Sequence, residues 1–163
     1  MYLYGIFESK FKRNNPVKCF AEHKAAVRAL AWSPLNFGML VTGGGNNDKT
    51  IKFWNINEDF STISMPTNSQ VCNLIFSKHS NEFVSTHGYS ENCIMVWNAE
   101  KKERIAVLEG HQTRVLHLAL SPDGENVATC AADETLKFWK VFPRKMEIED
   151  DGDKVINPFL ELR

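Results

Sequence analysis

The stretch "ADETLKFW", Ala132–Trp139, decides how this chain is read, because "NDKTIKFW", Asn47–Trp54, writes nearly the same pattern earlier. Both run Asp, one residue, Thr, aliphatic, Lys, Phe, Trp. Aligning the chain on its tryptophans gives three units: "HKAAVRALAWSPLNFGMLVTGGGNNDKTIKFWNI", "TNSQVCNLIFSKHSNEFVSTHGYSENCIMVWNA" and "HQTRVLHLALSPDGENVATCAADETLKFWKVF". Trp54 and Trp97 are 43 residues apart, Trp97 and Trp139 are 42 apart. A fixed period in that range marks a repeat architecture, in which each unit buries its apolar face against its neighbours.

The period is similar to that of WD-repeat propeller blades. In each unit a short apolar run (Val27 to Trp32, Val71 to Phe76, Val115 to Leu120) ends at a turn, Ser33-Pro34, Ser77-Lys78 or Ser121-Pro122-Asp123-Gly124. A second strand follows ("MLVTG", "EFVST", "NVATC"), the Trp-ended segment is the third, and "STISM" and "RIAVLEG" supply weaker fourth strands. The expected fold is all-β, a partial propeller. Residues 1–22 are read as the end of a preceding blade, with "LYGIFES" as a third strand and "PVKCF" as an outer one; residues 23–142 form three blades. Residues 143–163, acidic and poor in apolar residues, are expected to be a mostly disordered tail. About three and a half blades cannot close a ring of four to eight. Either the chain is part of a longer protein or a second copy completes the ring, and the first reading is preferred.

In a blade of this kind the turn Asp accepts a hydrogen bond from a His at the start of the unit, and the chain of bonds continues through a strand Ser or Thr to the Trp. The matching positions are His23, Thr42, Asp48 and Trp54, and again His111, Thr129, Asp133 and Trp139. A buried polar chain is tolerable when every member has a partner, and it then fixes how strands stack. The middle unit aligns Thr67, Ser85, Glu91 and Trp97 at these places, so its lock is expected to be incomplete and its blade to lean on apolar packing.

The composition narrows the function classes. Hydrophobic residues make up 43% and charged residues 24%, so the chain has the material of a folded domain. A net charge of −1 gives no general field for nucleic acid or an anionic membrane. Cys19, Cys72, Cys93 and Cys130 make no C-x-x-C pair and are expected to be structural thiols, without metal or cofactor. The N-terminus lacks a signal peptide and no apolar run reaches membrane-spanning length, which points to a reducing intracellular compartment.

"EHKAAVRALAWSP", "TGGGNNDKTIKFWN", "SQVCNLIFSKHSNEFVSTHGYSEN" and "RVLHLALSPDGENVATCAADETLKFW" together resemble the last three blades of the Fizzy and Fizzy-related family, activators that bring substrates to the anaphase-promoting complex. "VSTHGYSEN" and "NLIFSKHSNE" are more similar to the Fizzy-related branch. The resemblance implies a non-catalytic module of cell-cycle control, acting in nucleus and cytoplasm, that binds KEN-box and destruction-box degrons of substrates and inhibitors. It also implies residue roles. Gln70 and Arg114 match KEN-binding positions, an amide for the peptide's Asn and a guanidinium for its carboxylate. Together with Ala26 they precede the first-strand Val of their units and are expected to converge near the ring axis. Asn46, in "GGGNND", belongs to the same surface. Glu134 matches the acidic residue that holds the destruction-box Arg. Leu162-Arg163 stands where the family ends in Ile-Arg, captured by a tetratricopeptide-repeat subunit of the ligase.

Three rival readings bear on the same residues. The glycine run 43–45 suggests a phosphate cradle, but it leads into a strand rather than a helix. His111, Asp133 and Ser121 can be drawn as a hydrolase triad, but two of them belong to the lock and no G-x-S-x-G elbow is present. A WD-repeat scaffold or a truncated regulatory fragment binding other peptides is the alternative function.

Overall fold

The computed structural model describes residues 16–58 and 61–143. Every regular element in it is a strand. The first blade is β1 (Val27–Trp32), β2 (Met39–Gly44), β3 (Thr50–Asn55) and β4 (Ser61–Pro66), and the second is β5 (Val71–Phe76), β6 (Glu82–His87), β7 (Ile94–Asn98) and β8 (Glu103–Leu108). The third is β9 (Val115–Leu120), β10 (Asn126–Ala131) and β11 (Leu136–Lys140), three-stranded among the described residues. Each sheet is an antiparallel meander in sequence order, as short connections between alternating apolar runs dictate. The weak fourth strands expected at "STISM" and "RIAVLEG" are β4 and β8.

The innermost strands β1, β5 and β9 stand side by side, so the cores form between blades. At the first junction Ile51 and Phe53 of β3 pack with Val71, Leu74 and Phe76 of β5 and with Phe83. Phe83 meets Phe53 edge-on at 5.8 Å and stacks on Trp97 at 6.1 Å. At the second, Val84, Ile94 and Val96 pack with Val115 and Val127 of the third blade and with Phe142. The middle sheet therefore meets the first blade through β1, β2 and β3 and the third blade through β9 and β10.

"PVKCF" is not a strand. Residues 17–20 are irregular; they run over the first blade with Phe20 on Trp54 at 4.5 Å, while Glu22 accepts the Ser61 backbone N–H at 2.8 Å. "LYGIFES" and residues 144–163, including Leu162 and Arg163, lie outside the described residues. The cysteines also depart from a uniform reading: all four are free, but only Cys93 is buried and Cys19 is exposed. Burial pushes the Cys93 thiol up to about 11.

Candidate functional site: one rim of the partial propeller

The locks set the blades before anything can bind between them. In the first blade the Trp54 indole N–H donates to Thr42 Oγ1 (2.7 Å), Thr42 meets His23 Nε2 (2.6 Å), and His23 Nδ1 is bonded to Asp48. Thr50 donates to the same carboxylate at 2.8 Å. Burial alone would raise the Asp48 carboxyl, but the hydrogen bonds from His23 and Thr50 outweigh it and hold the group below its usual range. The third blade repeats this: Trp139 to Thr129 (2.8 Å), Thr129 to His111 Nε2 (3.0 Å), His111 Nδ1 to Asp133 (3.0 Å). Both nitrogens of His111 are engaged, and Ser121 lies beyond the opposite end of β9, roughly 20 Å of strand away. The triad is not assembled.

The middle blade departs from expectation. Its lock is whole: Ser85 and Trp97 serve as aligned, while His87 and Ser69 stand in for Thr67 and Glu91. Trp97 donates to Ser85 Oγ (2.7 Å), Ser85 bonds His87 Nε2 (2.7 Å), and His87 Nδ1 bonds Ser69 Oγ (3.0 Å). Thr67, aligned with the missing His, instead donates to the Lys49 and Ser69 carbonyls, both at 2.9 Å. The reason is visible in register. His87 stands opposite Val71 as Gly44 stands opposite Val27. In the first blade a side chain at Gly44 would strike the Asp48 carboxylate, its β-carbon 2.1 Å from Oδ2; in the middle blade, which has no such Asp, the imidazole fills that space. The signal was present in the sequence: Ser85 and His87 are two apart on a strand, hence on one face.

The glycine run also has a packing account. A β-carbon on Gly43 would stand 2.4 Å from Val71 Cγ1 of the next blade, and one on Gly45 would stand 3.1 Å from the Ala26 carbonyl. Gly43 and Gly44 are strand residues, not a phosphate loop.

Gln70 and Arg114 come together, although they belong to different blades. Their meeting point is Gly88, whose N–H donates to the Gln70 carbonyl at 2.9 Å. The position a Gly88 β-carbon would take is 3.5 Å from Arg114 Cγ, 3.5 Å from Cys72 Sγ and 3.6 Å from Gln70 Cβ. The absent side chain leaves a cup ringed by these three. Gln70 is buried (3% exposed), and its side-chain amide makes no hydrogen bond to a described residue, while Arg114 is exposed and forms no ion pair with one. Equivalent geometry holds one blade earlier, where the Gly45 N–H donates to the Ala26 carbonyl at 3.0 Å; the next residue, Asn46, is exposed. Tyr89, at the matching place after Gly88, is an exposed aromatic on this rim that sequence pattern did not single out.

Glu134 is exposed, with a left-handed backbone (φ 64°). Lys49 (φ 53°) and Asn92 (φ 49°) hold the corresponding places in the other two turns, so this conformation belongs to the turn and not to a site. Among the described residues no group of three His, Cys, Asp or Glu side chains is arranged to hold a metal ion.

The chain matches the WD domain, G-beta repeat family over residues 14–55 and 102–140. Those stretches hold the two His-Asp locks and leave out the middle unit, whose lock uses His87. Protein FIZZY-RELATED 1 of Arabidopsis thaliana is 56% identical over 128 residues, covering 78% of this chain and 27% of that protein. APC/C activator protein CDH1 of Saccharomyces cerevisiae is 42% identical over 158 residues, 97% of this chain and 28% of its own length. In a crystal structure of the mitotic checkpoint complex, one chain superposes with a TM-score of 0.72 at 44% identity, over 75% of this chain and 39% of that one. The chain thus spans about a quarter of the curated relatives' length. With all-β blades, the repeated lock and these likenesses in agreement, the chain belongs to the Fizzy-related family of WD-repeat proteins.

Proposed function

We propose that this chain supplies part of a degron-binding surface used in activating the anaphase-promoting complex, with the KEN-type motif received in the Gly88 cup. The observation that supports this is the convergence of a buried amide without an internal hydrogen bond (Gln70) and an exposed guanidinium without an internal carboxylate (Arg114) around a residue that has no side chain. The Gln70 amide makes no hydrogen bond to a described residue and so is free to pair with a ligand, and a site that hydrogen-bonds its ligand rejects one that lacks the matching group. The peptide's Asn pairs with Gln70 and its Glu with Arg114. The relatives' names supply the process: CDH1 is an APC/C activator. In this reading the module performs no chemistry and acts in nucleus and cytoplasm. Glu134 as a destruction-box contact, and capture of Leu162-Arg163 by a tetratricopeptide-repeat subunit, belong to the same proposal and rest on resemblance.

The test is fluorescence titration of a peptide bearing Lys-Glu-Asn in neutral flanks against its triple-alanine control. Wild type is expected to select the KEN peptide. Arg114→Ala is expected to weaken it about tenfold or more, the scale of a lost charged hydrogen bond, with an unchanged melting temperature. Equal affinity for both peptides would refute the proposal and favour a scaffold for other ligands.

A further inference from the structure

The three inner strands share an irregularity that is not needed for pairing. In the first blade Val27 pairs Gly44 and Ala29 pairs Gly43, leaving Arg28 as an extra residue; in the second Val71 pairs His87 and Asn73 pairs Thr86, leaving Cys72. In the third Val115 pairs Ala131 and His117 pairs Cys130, leaving Leu116. A β-bulge of this kind re-aims a side chain and recurs beside binding sites. The bulged Cys72 shows where the aim falls: its sulfur is one wall of the Gly88 cup. Arg28 is the same position one blade round. The Cys72 thiol is raised by burial, against which the charges of Arg28 and Arg114 both act, with no carboxylate among the influences on it. β1 and β5 stand side by side with Arg28 and Cys72 at equivalent bulges, so Arg28 lies on the strand next to one side of the cup and Arg114 forms its wall on the other. Neither forms an ion pair with a described carboxylate, and Arg28, like Arg114, is exposed.

We propose that Arg28 is a further recognition residue, which takes a second carboxylate, so that the rim selects KEN-bearing segments with an additional acidic residue beside the motif. The inference rests on the proposed KEN site and deepens it. Arg114 supplies the cation for the motif's own Glu; Arg28, on the far side of Cys72, reaches the chain that enters or leaves the cup. A guanidinium suits this because its planar fork holds a carboxylate with two hydrogen bonds.

The experiment uses the whole 163-residue chain and three peptides: Lys-Glu-Asn in neutral Gly and Ser flanks, the same motif with Glu on both sides, and the triple-alanine version with Glu flanks. On wild type at low salt the acidic flanks are expected to tighten KEN binding about fivefold, the scale of one partly exposed ion pair, and the gain is expected to shrink as salt rises. Arg28→Ala should remove that gain and leave the neutral-flank affinity and melting temperature unchanged; Arg28→Lys should restore part of it. Arg114→Ala should weaken both KEN peptides and keep the flank gain. If acidic flanks give no gain on wild type, or if Arg28→Ala retains it, the role of Arg28 is overturned while the KEN site stands. If the neutral-flank peptide itself binds no better than its alanine control, the KEN site and Arg28's role fall together.

Discussion

His87 is the residue on which the middle blade turns. Its ring links Ser69 to Ser85 and so to Trp97, with no carboxylate in the chain of bonds. Burial, reinforced by the positive charge of Arg104, lowers its pKa from 6.5 to about 4. Between those values the unfolded chain binds a proton that the folded chain refuses. Stability therefore rises with pH across this window, and it is lost as pH falls from 6.5 towards 4, by about 3 kcal/mol if the full shift is expressed. The Asp48 and Asp133 carboxyls are held below their usual range, the second mainly by the Thr135 hydroxyl, so their losses come at lower pH. Thermal melts of wild type and His87→Gln between pH 6.5 and 4 check this. The wild-type melting temperature should fall with acid and the variant's should fall less, since Gln offers hydrogen bonds without titrating; parallel curves would refute it.

The contact between adjacent sheets is decided by the third strand of one blade and the inner strand of the next, and glycine sets how closely they approach. Gly43 of β2 faces Val71, which is fully buried and branched at the β-carbon, so neither partner can turn aside. Gly43→Ala is expected to cost about 1 to 3 kcal/mol by overpacking. The loss is to be read as a lower denaturation midpoint with an unchanged m-value. Gly88→Ala is the control, because the added β-carbon there meets only ordinary van der Waals neighbours; an equal loss in both variants would show that the junction is looser than these distances imply.

At the scale of the molecule, the two outermost faces carry the same pattern that the two internal junctions bury. Val71, Leu74 and Phe76 are 0%, 5% and 6% exposed, whereas Val27, Leu30 and Trp32 at the same positions of the first blade are 48%, 63% and 54% exposed. Ile51 and Phe53 are 0% and 1% exposed, but Leu136 and Phe138 of the third blade are 62% and 72%. These faces are complementary halves of one kind of junction, and exposed apolar sheet faces associate. Light scattering should show a wild-type mass that grows with concentration. Trp32→Lys combined with Phe138→Lys should hold the mass at one chain at little cost in stability, because neither side chain is buried. A wild-type mass that stays at one chain up to high concentration would contradict this.

The sequence by itself determined the blades and two of their locks, because strand periodicity, turn residues and the His, Thr, Asp and Trp spacing are local signals repeated at a fixed interval. It also marked Gln70 and Arg114 as equivalent positions in successive units. Only the tertiary structure decided that Gly88 is the floor between them, that the bulged Cys72 forms one wall of that rim, and that His87 replaces the missing lock histidine. Those facts depend on register and on the approach of one sheet to the next. A bulge adds one residue without any change of composition, and a cup left by a missing β-carbon exists only once three separate strands have met around it.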